Sequence, residues 1–218
     1  MKKIILSSVF SFCAIGAALA VNTPWSCDFS QGGEGFTCYD EDGEVPSVSA
    51  QKYGFSPDGA SWIFGTYEKE YVAMSNSSHK KATATAKDWL ITPAVTLGEG
   101  NTLSFKAYTV AYSNTQRVAT IDVLLSTTGV AVEDFTTVLL ADELITDGVC
   151  GVDLSAYAGQ TIHIAIVNKS RGKDMLVVDD FFVGVMPIAT VKAKYTRLQE
   201  NMHKVLPQTL HNRLWLTL

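Results

Sequence analysis

The sequence predicts an all-β domain, a sandwich or barrel of antiparallel strands, on three observations. Strand-like segments follow one another at short intervals along the chain. Turn-rich pieces such as Ser56-Pro57-Asp58-Gly59 and Gly98-Glu99-Gly100-Asn101 separate them. No long stretch before Pro187 carries the apolar spacing of an amphipathic helix. Strands without intervening helices run mostly antiparallel, and many of them in one domain close into a sandwich or barrel.

Taken in order, the chain begins with Lys2-Lys3, an apolar run and Ala18-Leu19-Ala20, the pattern of a secretory signal peptide over residues 1–20 with cleavage before Val21. The mature chain is therefore expected to be exported, either to the periplasm or to the cell surface and beyond. No later segment is long and apolar enough to span a membrane as a helix. Residues 21–43 read as a loop, with Gly32-Gly33-Glu34-Gly35 as a connector and Tyr39-Asp40-Glu41-Asp42-Gly43 as an acidic turn. Strands are expected at residues 47–53, 62–66, 71–75, 88–97, 102–111, 118–126, 136–141, 150–154, 161–168 and 175–185. In the ninth, Ile162, Ile164 and Ile166 point one way and Thr161, His163 and Ala165 the other, as a half-buried strand requires.

The last strand carries Asp179-Asp180 inside an apolar run. Strict alternation would put Val177, Asp179, Phe181, Val183 and Val185 on one face, and Leu176, Val178, Asp180, Phe182 and Gly184 on the other. The two carboxylates then cannot act as an acid/base pair, and Asp179, facing the core, needs a partner to replace its hydration. Residues 187–218 form a basic tail in which Val191, Tyr195, Leu198, Met202 and Val205 recur at helical spacing until Pro207. The tail reads as an amphipathic helix or a loosely attached end.

Charge narrows the partners. Between residues 21 and 186 stand 10 Lys and Arg against 21 Asp and Glu, a formal charge of −11. So acidic a body excludes nucleic acid as a partner and suits divalent cations or solubility. In an oxidising compartment Cys27 and Cys38 could close a short loop, while Cys150 reads as a small buried apolar residue. The chain offers no Gly-x-Ser-x-Gly, no His-Glu-x-x-His and no phosphate loop, and His79 lies in a polar Ser-Lys run. The enzymatic alternative is a glycoside hydrolase using distant carboxylates brought together by folding. For recognition, flat aromatic side chains are the natural platforms, and the candidates are Trp62, Tyr67, Tyr71, Tyr108 and Tyr112. Of these, Trp62 and Tyr112 are the leading pair.

Ordered motifs carry a resemblance. Lys87-Asp88-Trp89-Leu90-Ile91-Thr92-Pro93 is followed by Leu103-Ser104-Phe105, then by Val123-Leu124-Leu125-Ser126-Thr127-Thr128-Gly129 with Asp134-Phe135-Thr136-Thr137. Val152-Asp153-Leu154-Ser155-Ala156-Tyr157-Ala158-Gly159 and Asp179-Asp180 complete the series. In this order the chain resembles the cleaved-adhesin, or choice-of-anchor J, domain of Bacteroidetes surface proteins. The resemblance implies a jelly-roll β-sandwich over residues 21–186, related to MAM and galactose-binding sandwiches. It implies non-catalytic adhesion to a host or dietary protein or glycan through loops at the sandwich edge, with a structural spacer or accessory domain of a surface assembly as the alternative. It also implies a calcium ion tying the start of the chain to its last strand. Asp179 would be the ligand there, with Asp180 the alternate. Asp28 stands in because Ser30 occupies an expected acidic position, and Asp40 and Asp42 match the family's Asp-rich turn. A calcium site takes six to eight oxygens, many from backbone, so a compact motif is not required. The other reading leaves Asp179 accepting backbone N–H bonds and the acidic turn solvated.

Overall fold

The structure, a computed structural model, describes residues 20–33, 35–58, 61–81, 83–112, 118–172 and 174–186. The predicted leader, apart from Ala20, and the basic tail lie outside them. Among the described residues the strands are β1 (Val21–Asn22), β2 (Trp25–Cys27), β3 (Thr37–Asp40), β4 (Trp62–Tyr67), β5 (Glu70–Asn76), β6 (Asp88–Ile91) and β7 (Val95–Thr96). They continue as β8 (Thr102–Ala111), β9 (Ala119–Ser126), β10 (Thr137–Ile145), β11 (Asp147–Asp153), β12 (Thr161–Asn168) and β13 (Asp174–Gly184). One short helix, α1 (Val48–Gln51), lies between β3 and β4. No helix among the described residues is long and apolar enough to cross a membrane.

Two sheets face each other. In the first, β12 is the central strand: β9 and then β10 lie on one side, β6 and β7 on the other, with β3 beyond β6 and β1 beyond β7. In the second, β13 is central, with β8 and β11 along one side. Its other side pairs β5 over its first half and β2 over its second, and β4 lies outside β5. All of these pairings are antiparallel except β1 with β7. The expected β-sandwich is therefore the observed fold.

The inward faces meet in a core of Leu90, Phe105, Ile121, Val123, Ile162, Ile164, Ile166, Leu176, Val178, Phe181 and Val183, among others. Ile162, Ile164 and Ile166 face inward together, as their alternation predicts, while Ala165 and Val167 join Trp89, Ile91 and Phe135 on the outside of the first sheet. At one end the core is aromatic. The Phe181 ring stacks on Phe105 with centroids 5.3 Å apart, and meets Phe29 and Phe36 at 6.0 and 5.5 Å. Gly33 lies flush against the Phe64 ring, where a Cβ would collide with it, so the loop leaving β2 closes this end only with glycine there.

Four expectations differ. Residues 21–43 contain three strands rather than a continuous loop, because their short backbones pair with β7, β13 and β6. Residues 47–53 form a helical turn instead of a strand: the Ser47 hydroxyl accepts from the Ala50 N–H at 3.3 Å as an N-cap, and Val48 is left 69% exposed. The strand expected at 88–97 breaks into β6 and β7 around Pro93, which has no N–H for a ladder. The faces of β13 also change partway. The pairing with β8 slips between Asp179 and Phe182, so three steps on β13 oppose two on β8, and Asp180 takes φ 52°. This bulge puts Leu176 and Val178 in the same core as Phe181 and Val183, while Met175 and Val177 face the outside of the sheet. Asp179 shares that outer face, not the core face that uninterrupted alternation assigned to it.

Candidate functional site

The outer face of the second sheet divides into a covered and an open half. Over one half, α1 and the turn behind it bury Ala50 and Phe55 against Val72, Met74, Met175 and Val177. Tyr53 leans on Tyr112 with ring centroids 5.2 Å apart. Part of the rest is a shallow groove of about 320 Å³ lined by Tyr67, Glu68, Glu70, Lys106, Tyr108, Thr109, Thr146 and Asp147.

Local structure explains who lines it. Lys106 and Tyr108 are two apart on β8 and so share a face. Asp147 opens β11 directly opposite Tyr108, and Asp179 pairs with Lys106 from β13. Tyr67 ends β4 and pairs with Glu70 across a two-residue turn, in which Glu68 and Lys69 take φ 49° and 77°. Two successive positive φ values mark the hairpin turn that matches strand twist, here built without its usual Asn or Gly. The Tyr67 and Tyr108 rings lie 6.3 Å apart, and the Lys106 ammonium sits 5.5 Å above the Tyr108 ring. Burial pushes the Tyr108 hydroxyl up to about 12, with Tyr67 and the charges of Asp179, Glu68 and Asp147 adding to it. Three carboxylates thus face one ammonium around two flat apolar surfaces.

Of the leading aromatic candidates, Trp62 is 5% exposed in the core, and its Nε1–H donates to the Asp88 carbonyl at 3.1 Å. An indole so enclosed offers no platform, which corrects the expectation for Trp62. Tyr112 is half-buried, its hydroxyl donating to Asn76 Oδ1 at 3.0 Å beneath Tyr53. Burial raises that hydroxyl strongly. Tyr71 is exposed on β5. Tyr67 and Tyr108 are the pair the fold brings together at the open groove.

The carboxylates expected to share a calcium ion fall in three places. Asp28 and Asp180 line a different groove of about 560 Å³ beside Cys27, Ser104 and Phe182. There Asp28 Oδ1 accepts from the Ser30 N–H and hydroxyl at 3.0 and 2.7 Å, which holds its carboxyl below the usual range. Asp179 Oδ1 accepts from the Asp180 N–H at 2.7 Å, and burial raises its carboxyl against that bond. Asp40 and Asp42, by contrast, come together with Asp88: one oxygen of each lies within 4.8 Å of the others. Asp40 pairs with Asp88 across β3 and β6. Asp42 is oriented by the Glu44 and Lys87 N–H groups at 2.8 and 2.6 Å, and Asp40 by the Gly43 N–H at 2.7 Å. Asp88 is 3% exposed and accepts from the Ser75 hydroxyl at 2.7 Å. Burial drives its carboxyl up to about 9, and the charges of Asp42 and Asp40 add to this although the Ser75 bond opposes it. Three carboxylates that each bring one hard oxygen donor to a common place, one of them buried, fit a divalent cation such as calcium. Asp88 escaped the sequence reading, since only the pairing of β3 with β6 places it beside the acidic turn.

Cys27, Cys38 and Cys150 are all free thiols, so the loop that Cys27 and Cys38 could have closed is not cross-linked. Burial pushes the half-buried Cys150 up to about 12.

Two facing, mostly antiparallel sheets with open grooves on the outer face of one of them make this a β-sandwich domain. The chain belongs to the Cleaved Adhesin Domain family, whose model matches residues 33–170. It is similar in structure to the K1 cleaved adhesin domain of Lys-gingipain from Porphyromonas gingivalis, with a TM-score of 0.57 and 22% identity over 76% of this chain and 99% of that one. The K3 domain of the same protein gives a TM-score of 0.55 and 20% identity, over 73% of this chain and 96% of that one. At these identities the likeness concerns the fold. No curated protein matches the chain in sequence.

Proposed function

We propose that this is an exported, non-catalytic adhesion module that takes a host or dietary protein or glycan in the Tyr67–Tyr108 groove, with calcium as a structural ion at Asp40, Asp42 and Asp88. The carrying observation is the groove itself. Beside the part of the second sheet's outer face that α1 covers, two rings and their polar rim stay open, and unlike the Asp28–Asp180 groove on the same face this one brings two tyrosine rings together. Rings held by strands present ligand surface at little entropic cost. Family membership supports a binding role, and the rim carboxylates supply directional acceptors.

The test is binding of the purified domain to arrays of glycans and immobilised extracellular proteins, in native form and as Tyr67→Ala with Tyr108→Ala. Both rings lie on the sheet surface, so the double variant should keep its melting temperature within a few degrees and lose its array hits. Hits that survive the double variant would overturn the groove as the site. Turnover of any arrayed polysaccharide or peptide that a single carboxylate substitution abolishes would replace the adhesion reading with an enzymatic one.

A further inference from the structure

We infer that the ligand of this groove is cationic, a lysine- or arginine-rich peptide segment bound in extended form; this rests on the groove being the binding site. The charge of the walls is the first support. Glu68 from the β4–β5 turn, Glu70 from β5 and Asp147 from β11 all line the groove, and Asp179 stands beside Lys106 from β13. Among the described residues that line it, Lys106 is the cation. Sugar hydroxyls can donate to these carboxylates, but an ammonium or guanidinium donates to them and also gains Coulomb attraction from several directions.

Lys106 is the second support. Its ammonium already occupies the position over the Tyr108 ring at 5.5 Å, a cation–π placement made by the protein's own side chain. The ring face is thus shaped and charged for an alkylammonium chain, and the adjoining Tyr67 ring, 6.3 Å away, offers a second such face. The carboxylates reach the groove from two sides, Glu68 and Glu70 from the β4–β5 hairpin and Asp147 from the start of β11. That distribution matches a series of cations along an extended backbone better than one amino group on a sugar ring. Lys106 then acts as a gate for specificity: an incoming cation displaces its ammonium from Tyr108 toward Asp179.

The experiment uses the whole mature chain and measures binding of decalysine, of its Nε-acetylated form, of a glucosamine hexamer and of cellohexaose at about 50 and 200 mM salt. Decalysine is expected to bind, more weakly at the higher salt, and the acetylated peptide is expected not to. Tyr108→Ala leaves the net charge unchanged and should weaken decalysine about three- to fivefold. Glu70→Gln with Asp147→Asn should weaken it about fivefold. Asp58→Asn with Glu99→Gln, an equal charge change at exposed positions outside the groove lining, should leave it within twofold. A control pair that weakens decalysine as much as the groove pair, or no effect of Tyr108→Ala, would reduce the binding to general attraction by an acidic body and overturn the inference. Tighter binding of the glucosamine hexamer than of decalysine would overturn it in favour of an amino sugar. Cellohexaose binding that needs Tyr108, without decalysine binding, would leave the groove as the site and reject a cationic ligand. Failure of every probe would reject the inference, with the array test of the two tyrosines deciding separately whether the groove binds at all.

Discussion

Removing one of the two adjacent aspartates in β13 tests the bulge, and with it the face assignment of the strand that organises the second sheet. Deleting Asp179 or Asp180 yields the same chain, Val178-Asp-Phe181. With the bulge as observed, the deletion restores two steps opposite two between Lys106 and Ser104, and Phe181 and Val183 keep facing the core. The protein loses the hydrogen bond from the Asp180 N–H to Asp179 Oδ1, about 1 kcal/mol, and is relieved of a left-handed residue that costs on the order of 1 kcal/mol. The net change should stay within about 2 kcal/mol, or roughly 8 °C in melting temperature for a domain of this size. If the strand alternated without interruption, the same deletion would turn Phe181 and Val183 outward. Each would forfeit about 1.5–3 kcal/mol of burial, and the Phe181 contacts with Phe29, Phe36 and Phe105 would open a cavity, for a loss of about 5 kcal/mol or more. Urea titration of both proteins separates the two cases. A midpoint shift equivalent to more than about 4 kcal/mol at unchanged slope would refute the bulge assignment.

Other expectations follow from single groups. Trp62→Ala should destabilise the domain by about 3–5 kcal/mol in chemical denaturation, since it empties a core position and strips the donor from the Asp88 carbonyl. An ion bound only to the native state at a hundred times its dissociation constant adds about 2.7 kcal/mol, so calcium against chelator should raise the melting temperature by roughly 5–10 °C. Asp42→Asn should remove that difference, and equal melting with and without calcium would exclude a stabilising ion. Asp179 has its carboxyl raised in the folded state, so the stability it contributes is fully present below its unfolded value of about 3.9 and is lost as pH rises through the folded value. Asp179→Asn should flatten the decline of stability with rising pH from about pH 4, and parallel profiles would show that the group does not titrate in this way.

The sandwich was legible because its strands are mostly apolar on one face only. Ile162, Ile164 and Ile166 announce the inner face of β12, and the absence of helical spacing excluded layered α/β folds. The reversal in β13 left no such mark, since Met175 and Val177 on one face are as apolar as Leu176 and Val178 on the other. Where both faces are buried, alternation cannot tell a regular strand from a bulged one. Trp62 was misplaced for a related reason: with Ile63 and Phe64 beside it, nothing in the local pattern says which ring faces inward. The site depended on long-range pairing. Tyr67 and Tyr108 belong to strands separated by β13 and β5, and Asp88 reaches the acidic turn only through the pairing of β3 with β6. Local spacing carries no information about such neighbours, although the acidic turn itself stood out as Asp40-Glu41-Asp42.

The central place of β13 governs the order in which the domain can fold. It supplies the shared partner of β2, β5 and β8, and β2 lies some 150 residues earlier in the chain. A growing chain that has not yet released residues 174–184 has no middle for its second sheet, only the β4–β5 hairpin and the β8–β11 pair. Long loops must close before the sheet rewards them, which makes the final step slow and places it after synthesis of the last strand. Until that strand emerges the inner face of the second sheet stays incomplete, and the core between the sheets cannot close.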